Sequence, residues 1–318
     1  MAPACRGRAA GWEAVTAPRT EPPRRGLPLV AGALALALLA CGRATTPIGP
    51  VPLPEAGRFD HVILVVEENH GYGEVIGDSA MPYLNSLADS FGLATRYFAD
   101  THPSIGNYFM LATGQVVTDD DGYATVVDVD NVARRLVASG RTWKSYAEDL
   151  PSVGYLGGDT AGYARKHNVF ALLSDVVNDS AQRANLVPFT RFAQDLAAGT
   201  LPNFANIVPN LCHDGHDCSL AVADAWLRDH IGPLLATPTF QTDGLLIITF
   251  DEAHDSDTAH GGGHVPWVVV SPRARRGFRS DTVFQHASTL RLVLESLGVD
   301  RWPGAAADAS SMDAFFTP

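Results

Sequence analysis

The chain has 318 residues, of which 46% are hydrophobic, so it is long and apolar enough to fold around a large core. Its formal net charge is −12, and its only lysines are Lys144 and Lys166. Because binding to nucleic acid requires clustered positive side chains, this charge argues against a nucleic-acid partner. An acidic protein that acts on phosphate groups needs a metal ion to supply the missing positive charge.

The first 40 residues have the layout of an export signal peptide. Arg24 and Arg25 precede an apolar run over residues 27–40, which is too short and too rich in small residues for a membrane-spanning helix. The run ends in LLAC, a sequence typical of a bacterial lipobox, which predicts cleavage after residue 40 and a lipid on Cys41. The alternative is an ordinary signal peptide followed by a chance cysteine. Either way the sequence predicts an exported protein, anchored to the cell surface by its lipid or secreted.

The segment from Cys41 to Arg58 contains four prolines and shows little periodicity, which is typical of an extended tether. Apolar runs then alternate with helical spacings, so residues 59–318 are predicted to form a single domain. The predicted strands are HVILVV, ATRYFA, RTWKSYAE, NFANIVPN, GLLIITF and VPWVVVSP. The predicted helices are MPYLNSLADSF ending at Gly92, SIGNYFMLAT ending at Gly114, AVADAWLRDHIGPLL, and HASTLRLVLESLG. This alternation predicts an α/β fold, a mostly parallel sheet with helices on both faces.

Polar residues follow three of the predicted strands. Ligands of open α/β sheets gather beyond the carboxyl ends of the strands, so these residues are candidates for one site. They are Glu67, Glu68 and Asn69 after the first strand, His102 and Ser104 after the second, and Asp251 and Glu252 after GLLIITF. Carboxylate, amide and hydroxyl oxygens brought together suit a hard divalent cation.

Ser104 has two interpretations. A serine at the start of a helix is a common N-cap. The same position also places the hydroxyl near backbone N–H groups that suit an incoming phosphate, where a metal ion would activate it as a nucleophile. Farther along the chain, His264 follows three glycines that let the backbone approach a ligand closely, which makes it a further site candidate. His286, at the start of a predicted helix, is interpreted as a cap or core-edge residue.

Cys212 and Cys218 are the two cysteines of the predicted domain. In an exported protein, two cysteines six residues apart favour a disulfide that closes a small loop. The alternative is a metal site formed by the surrounding CHDGHDC sequence.

Five motifs occur in an order that resembles a bacterial phosphoesterase family of secreted acid phosphatases and phospholipase C enzymes, a branch of the alkaline phosphatase superfamily. The motifs are EENHGYGEVIG, THPSIGNYFMLATG, YARKHNVF, PNLCHDGHDCS and TFDEAHDSD…GGGHVPWVVVSP, and together they span about residues 60–298. The resemblance implies an alkaline-phosphatase-like fold. The chain departs from the family at NLCHD, where NLCND is common, and at KHNV, where KHNP is common.

The resemblance also implies roles for individual residues. It assigns Ser104 as the nucleophile and as one of five metal ligands, with Asn107 in substrate binding. The other ligands that it implies are Glu68, Asn69, Asp251 and Glu252. The histidines that it assigns to phosphate binding or leaving-group protonation are His102, His167 and His216.

The predicted cofactor is one divalent metal ion. All-oxygen ligation favours calcium, magnesium or manganese, and leaves iron or zinc open. The predicted function is hydrolysis of a small phosphoric ester, most simply an acid phosphomonoesterase that forms a phosphoseryl intermediate. The alternatives are a phospholipase C-type phosphodiesterase and, from another class, a non-catalytic surface lipoprotein that binds metal or glycan. Oligomeric state is left open.

Overall fold

A computed structural model describes residues 59–317, which lie in one compact unit. The predicted signal peptide, its lipidation site Cys41 and the tether up to residue 58 lie outside these residues. Among the described residues, no helix is both long and apolar enough to cross a membrane.

A sheet of eight strands forms the centre of the described chain, in the order β5-β4-β6-β1-β7-β8-β2-β9, and β3 and β10 form a separate pair. Every neighbouring pair in the large sheet is parallel except those made by β8, which runs antiparallel to β7 and β2. The strands are β1 His61–Glu67, β2 Gly92–Ala94, β3 Tyr97–Phe98, β4 Trp143–Ala147, β5 Leu186–Pro188, β6 Phe204–Val208, β7 Gly244–Phe250, β8 Trp267–Val270, β9 Phe278–Ser280 and β10 Phe284–Gln285.

The helices form two groups that pack among themselves, one around α3, α4 and α10 and the other around α2 and α8. The α-helices are α1 Tyr72–Val75, α2 Pro82–Ser90, α3 Ser104–Thr113, α4 Val132–Ala138, α5 Ser174–Val177, α6 Ser180–Arg183, α7 Thr190–Ala198, α8 Leu220–Trp226, α9 Pro238–Asp243 and α10 His286–Ser296. Short 3₁₀ segments cover Arg165–His167, Val169–Leu172, Gly232–Ala236, Gly304–Ala307 and Asp313–Phe315, and a π-helical segment covers Leu227–Ile231. The predicted α/β class with a mostly parallel sheet is confirmed.

Strands β1 and β7 lie side by side at the middle of the sheet and are almost completely buried. Their sequences are continuous apolar runs because helices cover both faces of a parallel sheet. The two strands pair in register from His61 opposite Gly244 to Glu67 opposite Phe250. The residues that follow each strand therefore leave the sheet side by side, at its carboxyl edge.

Three elements of the structure differ in detail from the predicted ones. Gly92 does not end α2 but begins β2, where a Cβ atom would lie 2.6 Å from Val269 Cγ1, so the glycine is needed for close packing. The strand predicted over ATRYFA is divided between β2 and β3, which belong to different sheets. The long helix predicted before β7 becomes π-helical and then 3₁₀ after Trp226, close to Pro233, which has no N–H for a regular helical hydrogen bond.

Helix α3 ends at Gly114, as predicted, in a left-handed conformation with a φ of 69°. A Cβ atom at this position would lie 2.3 Å from the carbonyl oxygen of Pro303 and 2.9 Å from the backbone nitrogen of Ala305. Gly199 ends α7 with a similar φ of 65°, but nothing lies within 4 Å of the Cβ position there. The two glycines therefore share a backbone requirement and differ in their surroundings.

We expect Gly114→Ala to destabilise the protein more than Gly199→Ala does. Both substitutions force alanine into the left-handed region at a cost of about 1–2 kcal/mol, and Gly114→Ala adds a clash with backbone atoms that costs about 1–3 kcal/mol more. The free energy of unfolding measured in urea for both variants tests this. Equal losses would contradict the close contact between Gly114 and the 303–305 segment.

Candidate active site

Ser104 begins α3 and its hydroxyl lies between two carboxylates. Its Oγ is 3.1 Å from Glu68 Oε2 and 3.2 Å from Glu252 Oε1. A hydroxyl has one proton and donates to only one of these oxygens at a time. All three side chains are buried, with exposed fractions of 1% for Ser104, 0% for Glu68 and 3% for Glu252. The arrangement is therefore rich in oxygen and poor in hydrogen-bond donors.

Asp251 adds a third buried carboxylate to this cluster. Its Oδ1 accepts a hydrogen bond of 3.1 Å from the backbone N–H of Asn69, while its buried Oδ2 accepts none from the described residues. Burial raises the pKa of Asp251 well above its usual range, and the charge of Glu252 raises it further. Burial likewise raises the pKa of Glu68, followed by the charges of Asp251 and Asp214. Electrostatic repulsion of this kind is relieved by a cation.

Asn69 reaches this site through an unusual backbone. Its φ is 61°, in the left-handed region that non-glycine residues rarely adopt, although asparagine tolerates it better than most. The turn directs the chain away from β1 and brings the Asn69 N–H to the carboxylate of Asp251, 182 residues later in sequence. Strained residues of this kind are concentrated at functional sites.

A buried chain of hydrogen bonds fixes the backbone of Asp251 from the core side. His286 Nε2 lies 2.6 Å from the Asp251 carbonyl, which can only accept, so Nε2 carries the proton. His286 Nδ1 then accepts from Tyr97, 3.0 Å away, whose oxygen in turn accepts from Thr289 at 2.6 Å. Trp267 Nε1 completes the chain by donating to Thr289. His286, interpreted from the sequence as a cap or core-edge residue, thus positions the loop that contains Asp251 and Glu252.

Ser104 opens onto a cleft of about 320 Å³. Lys166 is the one lysine or arginine that lines it, and Lys166 Nζ lies 2.7 Å from Asp121 Oδ2. The full lining consists of Asn69, Pro103, Ser104, Asp121, Lys166, His216, Glu252, Ala253, His254 and Asp255. A cleft beside a hydroxyl, with one lysine and several acids, suits an anionic ligand that binds together with a cation.

His216 is the one histidine assigned by resemblance that lines this cleft. It is exposed, and its Nδ1 lies 2.7 Å from Asp217 Oδ1, a contact that orients the ring. His102 instead uses both ring nitrogens, at 2.7 Å from Glu252 Oε2 and 3.0 Å from the Asp257 carbonyl oxygen. Partial burial lowers the pKa of His102, but the Asp257 carbonyl and the Glu252 carboxylate outweigh it, so the pKa is raised. His102 therefore holds Glu252 in place.

His167, the third histidine assigned by resemblance, and His264, the candidate after the three glycines, do not line the cleft. His167 is 1% exposed, with Nε2 at 3.0 Å from Glu68 Oε1 and its ring stacked on Tyr108. Burial lowers the pKa of His167 well below its usual range, so it is a neutral neighbour of Glu68. His264 lies in an adjacent cavity of about 280 Å³, where its ring stacks on Tyr72 and its Nε2 contacts the Thr95 carbonyl at 3.0 Å.

Asn107 is fully buried and does not line the cleft. Its amide oxygen accepts from the backbone N–H groups of Asp100 and Thr101, and its amide nitrogen donates to the Thr101 carbonyl. The side chain therefore braces the loop that leads to Ser104, and the contact with substrate that the resemblance implies stays a prediction.

Sequence reasoning missed three residues of the site. Tyr108 donates a 2.6 Å hydrogen bond to Glu68 Oε1, and its position one helical turn after Ser104 could have revealed it. Lys166 is one of two lysines in the whole chain and lies within the motif YARKHNVF. Asp121 is in the loop after α3, and no feature of the sequence distinguishes it from its acidic neighbours.

One group of three His, Cys, Asp or Glu side chains in residues 59–317 has ligand atoms that all lie within 4.8 Å of one another, and it consists of His102, Glu252 and Asp255. The three buried carboxylates Glu68, Asp251 and Glu252 are spaced more widely than this. This trio shares Glu252 with the predicted ligand set, although Asp255 is exposed and His102 has both nitrogens engaged. Cys212 and Cys218 form a disulfide in the loop that contains His216.

Comparison with known proteins shows what this fold and site are related to. A model of the Phosphoesterase family matches residues 77–300. The chain belongs to the phosphoesterase family. It is therefore a hydrolase of phosphoric esters, as the resemblance implied.

Named relatives of this phosphoesterase include a phosphatidylinositol-3-phosphatase of Mycobacterium tuberculosis, 31% identical over 86% of the chain and 88% of the relative. A probable acid phosphatase of Kluyveromyces lactis is 32% identical over 75% of the chain and an acid phosphatase of Aspergillus fumigatus 31% over 84%. The matches span 58% and 62% of these two fungal proteins.

Solved structures show the same fold at low sequence identity. A protein in the alkaline phosphatase superfamily from Vibrio parahaemolyticus is 14% identical with a TM-score of 0.55, covering 79% of this chain and 69% of its own. The lipoteichoic acid synthase LtaP of Listeria monocytogenes is 11% identical with a TM-score of 0.54, covering 79% and 74%. The alkaline-phosphatase-like fold predicted from the motifs is confirmed.

Asp100 lies in the loop that leads to Ser104, and its pKa predicts that the stability of the protein depends on pH. Burial raises the pKa of Asp100 to about 7, although the His286 N–H lowers it. Folding raises the pKa of this carboxyl group from about 4 in the unfolded chain, so the folded state resists its ionisation. The group therefore destabilises the folded state increasingly as the pH rises from about 4 to the pKa of the folded state. We therefore expect Asp100→Asn to be near neutral at pH 4 and to stabilise the protein relative to wild type by about 1–3 kcal/mol at pH 8. Urea unfolding across this range measures it, and a constant difference between the two proteins would contradict it.

Proposed function

We propose that the chain is a metal-dependent phosphomonoesterase, active in the acid range, in which Ser104 is the nucleophile. The observation that supports this most strongly is the position of the Ser104 hydroxyl, at the start of α3 and within 3.2 Å of two buried carboxylates. A structural N-cap would accept a hydrogen bond from the helix backbone, but Ser104 is the first helical residue and its hydroxyl faces the two acids.

The donor set fits a hard divalent cation. Three buried carboxylates converge near one hydroxyl, and an oxygen of Asp251 is left without a partner, which is costly for a buried polar atom. Glu68, Asn69, Ser104, Asp251 and Glu252 would hold the ion, with calcium, magnesium or manganese favoured by the oxygen donors. When bound, such an ion favours the ionised form of a serine hydroxyl and neutralises charge on a phosphoryl oxygen.

The protein's own side chains carry out the remaining steps of the reaction. Ser104 transfers its proton to a neighbouring carboxylate, Glu68 or Glu252, and its Oγ attacks phosphorus. A bond forms between Oγ and phosphorus as the bond to the leaving oxygen breaks, which gives a phosphoseryl intermediate. Water then attacks phosphorus as His216 takes up one of its protons, and the bond between phosphorus and Oγ breaks as Ser104 recovers its proton from the carboxylate. Phosphate is released and all three side chains return to their starting states.

His216 is the proposed general acid. It lines the cleft with Ser104, and its Nδ1 is engaged with Asp217, so Nε2 is the nitrogen that would protonate the leaving oxygen. An enzyme that needs a protonated histidine works best on the acid side of neutrality. His167 and His102 are proposed to position Glu68 and Glu252.

The proposed substrate is a small phosphate monoester. Three of the relatives described above carry names of phosphatases, which supports monoester hydrolysis over a phospholipase C-type reaction. Export, with a lipid on Cys41 as the only membrane attachment, is proposed from the sequence of the first 41 residues.

We expect Ser104→Ala to lower kcat for a phosphate monoester at least about 1,000-fold, because no other hydroxyl replaces the nucleophile. At saturating metal, the metal content and the free energy of unfolding should remain near those of the wild type, because four of the five proposed ligands are unchanged. Ser256→Ala, which removes an exposed hydroxyl from the loop after β7, is the control and should retain wild-type kcat.

Steady-state kinetics on a monoester and a phosphocholine diester, with elemental analysis of each protein, provide the readouts. Hydrolysis retained by Ser104→Ala would refute the nucleophile assignment. A preference for the diester would favour the phospholipase C-type alternative.

A further inference from the structure

Asp121 places a carboxylate in the cleft beside the proposed nucleophile. Its Oδ1 accepts a 3.1 Å hydrogen bond from the backbone N–H of Ile105, the residue after Ser104. Its Oδ2 lies 2.7 Å from Lys166 Nζ. One acidic side chain thus bridges a helix N-terminal N–H group and an ammonium group at the edge of the Ser104 site.

These two donors are suited to a phosphate oxygen. Lys166 is the only lysine or arginine among the residues that line the cleft, and its side chain is 17% exposed. The Ile105 N–H belongs to the first turn of α3, where the helix dipole favours negative charge. Since Ile105 directly follows Ser104, an anion held by both donors lies next to the proposed nucleophile.

We propose that the Asp121 carboxylate is an internal stand-in for the substrate phosphate, occupying the contacts with Ile105 N–H and Lys166 that a phosphoryl oxygen takes over on binding. The proposal rests on the proposed function, in which phosphate binds at Ser104. Before substrate binds, Asp121 keeps Lys166 in the cleft and satisfies the N–H of a partly buried helix end. The phosphate must displace it, so Asp121 lowers the affinity for phosphate and assists release of the product.

A simpler reading treats Asp121 only as a helix cap and a support for Lys166. Pro103, the N-cap residue of α3, contributes no side-chain hydrogen bond, so a cap from another loop is useful to the helix. In that interpretation Lys166 contacts the carboxylate and the phosphate at the same time. Loss of the carboxylate then leaves Lys166 less well placed to bind phosphate. The two readings predict opposite changes in phosphate affinity.

The chain supplies a matched control in the acidic run of residues 119–121. Asp119 is exposed and does not line the cleft, so Asp119→Asn makes the same change in net charge two residues away. Asp121→Asn keeps the size of the side chain and an acceptor oxygen for Ile105, removes the negative charge from the cleft, and replaces the oxygen that accepts from Lys166 with an amide NH2 donor. Lys166→Met removes the cation.

The experiment is calorimetric titration of inorganic phosphate into the metal-loaded proteins. We expect Asp121→Asn to bind phosphate about tenfold more tightly than wild type, the effect of removing one like charge at close range. Asp119→Asn should remain within about twofold of wild type, and Lys166→Met should bind at least about tenfold more weakly.

Affinity for phosphate that falls, or does not change, in Asp121→Asn relative to Asp119→Asn would overturn the stand-in role. Phosphate that binds to none of the proteins, including wild type, would instead contradict the proposed function. Circular dichroism of each variant verifies that the fold is retained, so that a lost affinity is not a consequence of unfolding.

Discussion

The site depends on one electrostatic constraint, the burial of three carboxylates around a single serine hydroxyl. Glu68 and Glu252 both approach Ser104 Oγ within 3.2 Å, and Asp251 lies beside them with one oxygen unpartnered. Burying like charges together is unfavourable unless protons or cations compensate for them. The raised pKa values of these groups express that cost, and a bound cation would remove it. Catalysis by Ser104 would then use the same positive charge that stabilises the site.

The sheet explains how residues so distant in sequence come together. Parallel pairing of β1 and β7 brings Glu68 and Asp251 to one edge, and the loop before α3 delivers Ser104 to the same place. The surrounding core holds these loops from behind. His286 fixes the Asp251 carbonyl, and Asn107 braces the backbone at Asp100 and Thr101. These two buried side chains thus position the loops of the site, and preorganisation of this kind is how enzymes hold reacting groups in place.

Sequence patterns were sufficient for the fold and for the positions of the acids. The apolar runs of β1 and β7 and the acids that follow them are local features, and the parallel topology predicts their convergence. The histidines were harder to assign because their roles depend on burial and on contacts distant in sequence. His167 and His216 lie in neighbouring motifs of similar polarity, yet one is buried against Glu68 and the other is exposed in the cleft. Asp121 could not be identified from the sequence for the same reason, since only the folded loop distinguishes it from Asp119.

The most direct test of the buried-carboxylate site is calorimetric titration of Mn²⁺ into the protein after treatment with a chelator. We expect wild type to bind one ion and Asp251→Asn to bind it at least about tenfold more weakly, because the variant loses a charged ligand. Asp255→Asn, which alters the exposed acid of the neighbouring trio, is predicted to bind as wild type does. Binding that is lost in Asp255→Asn and unchanged in Asp251→Asn would contradict a cation site at the buried carboxylates.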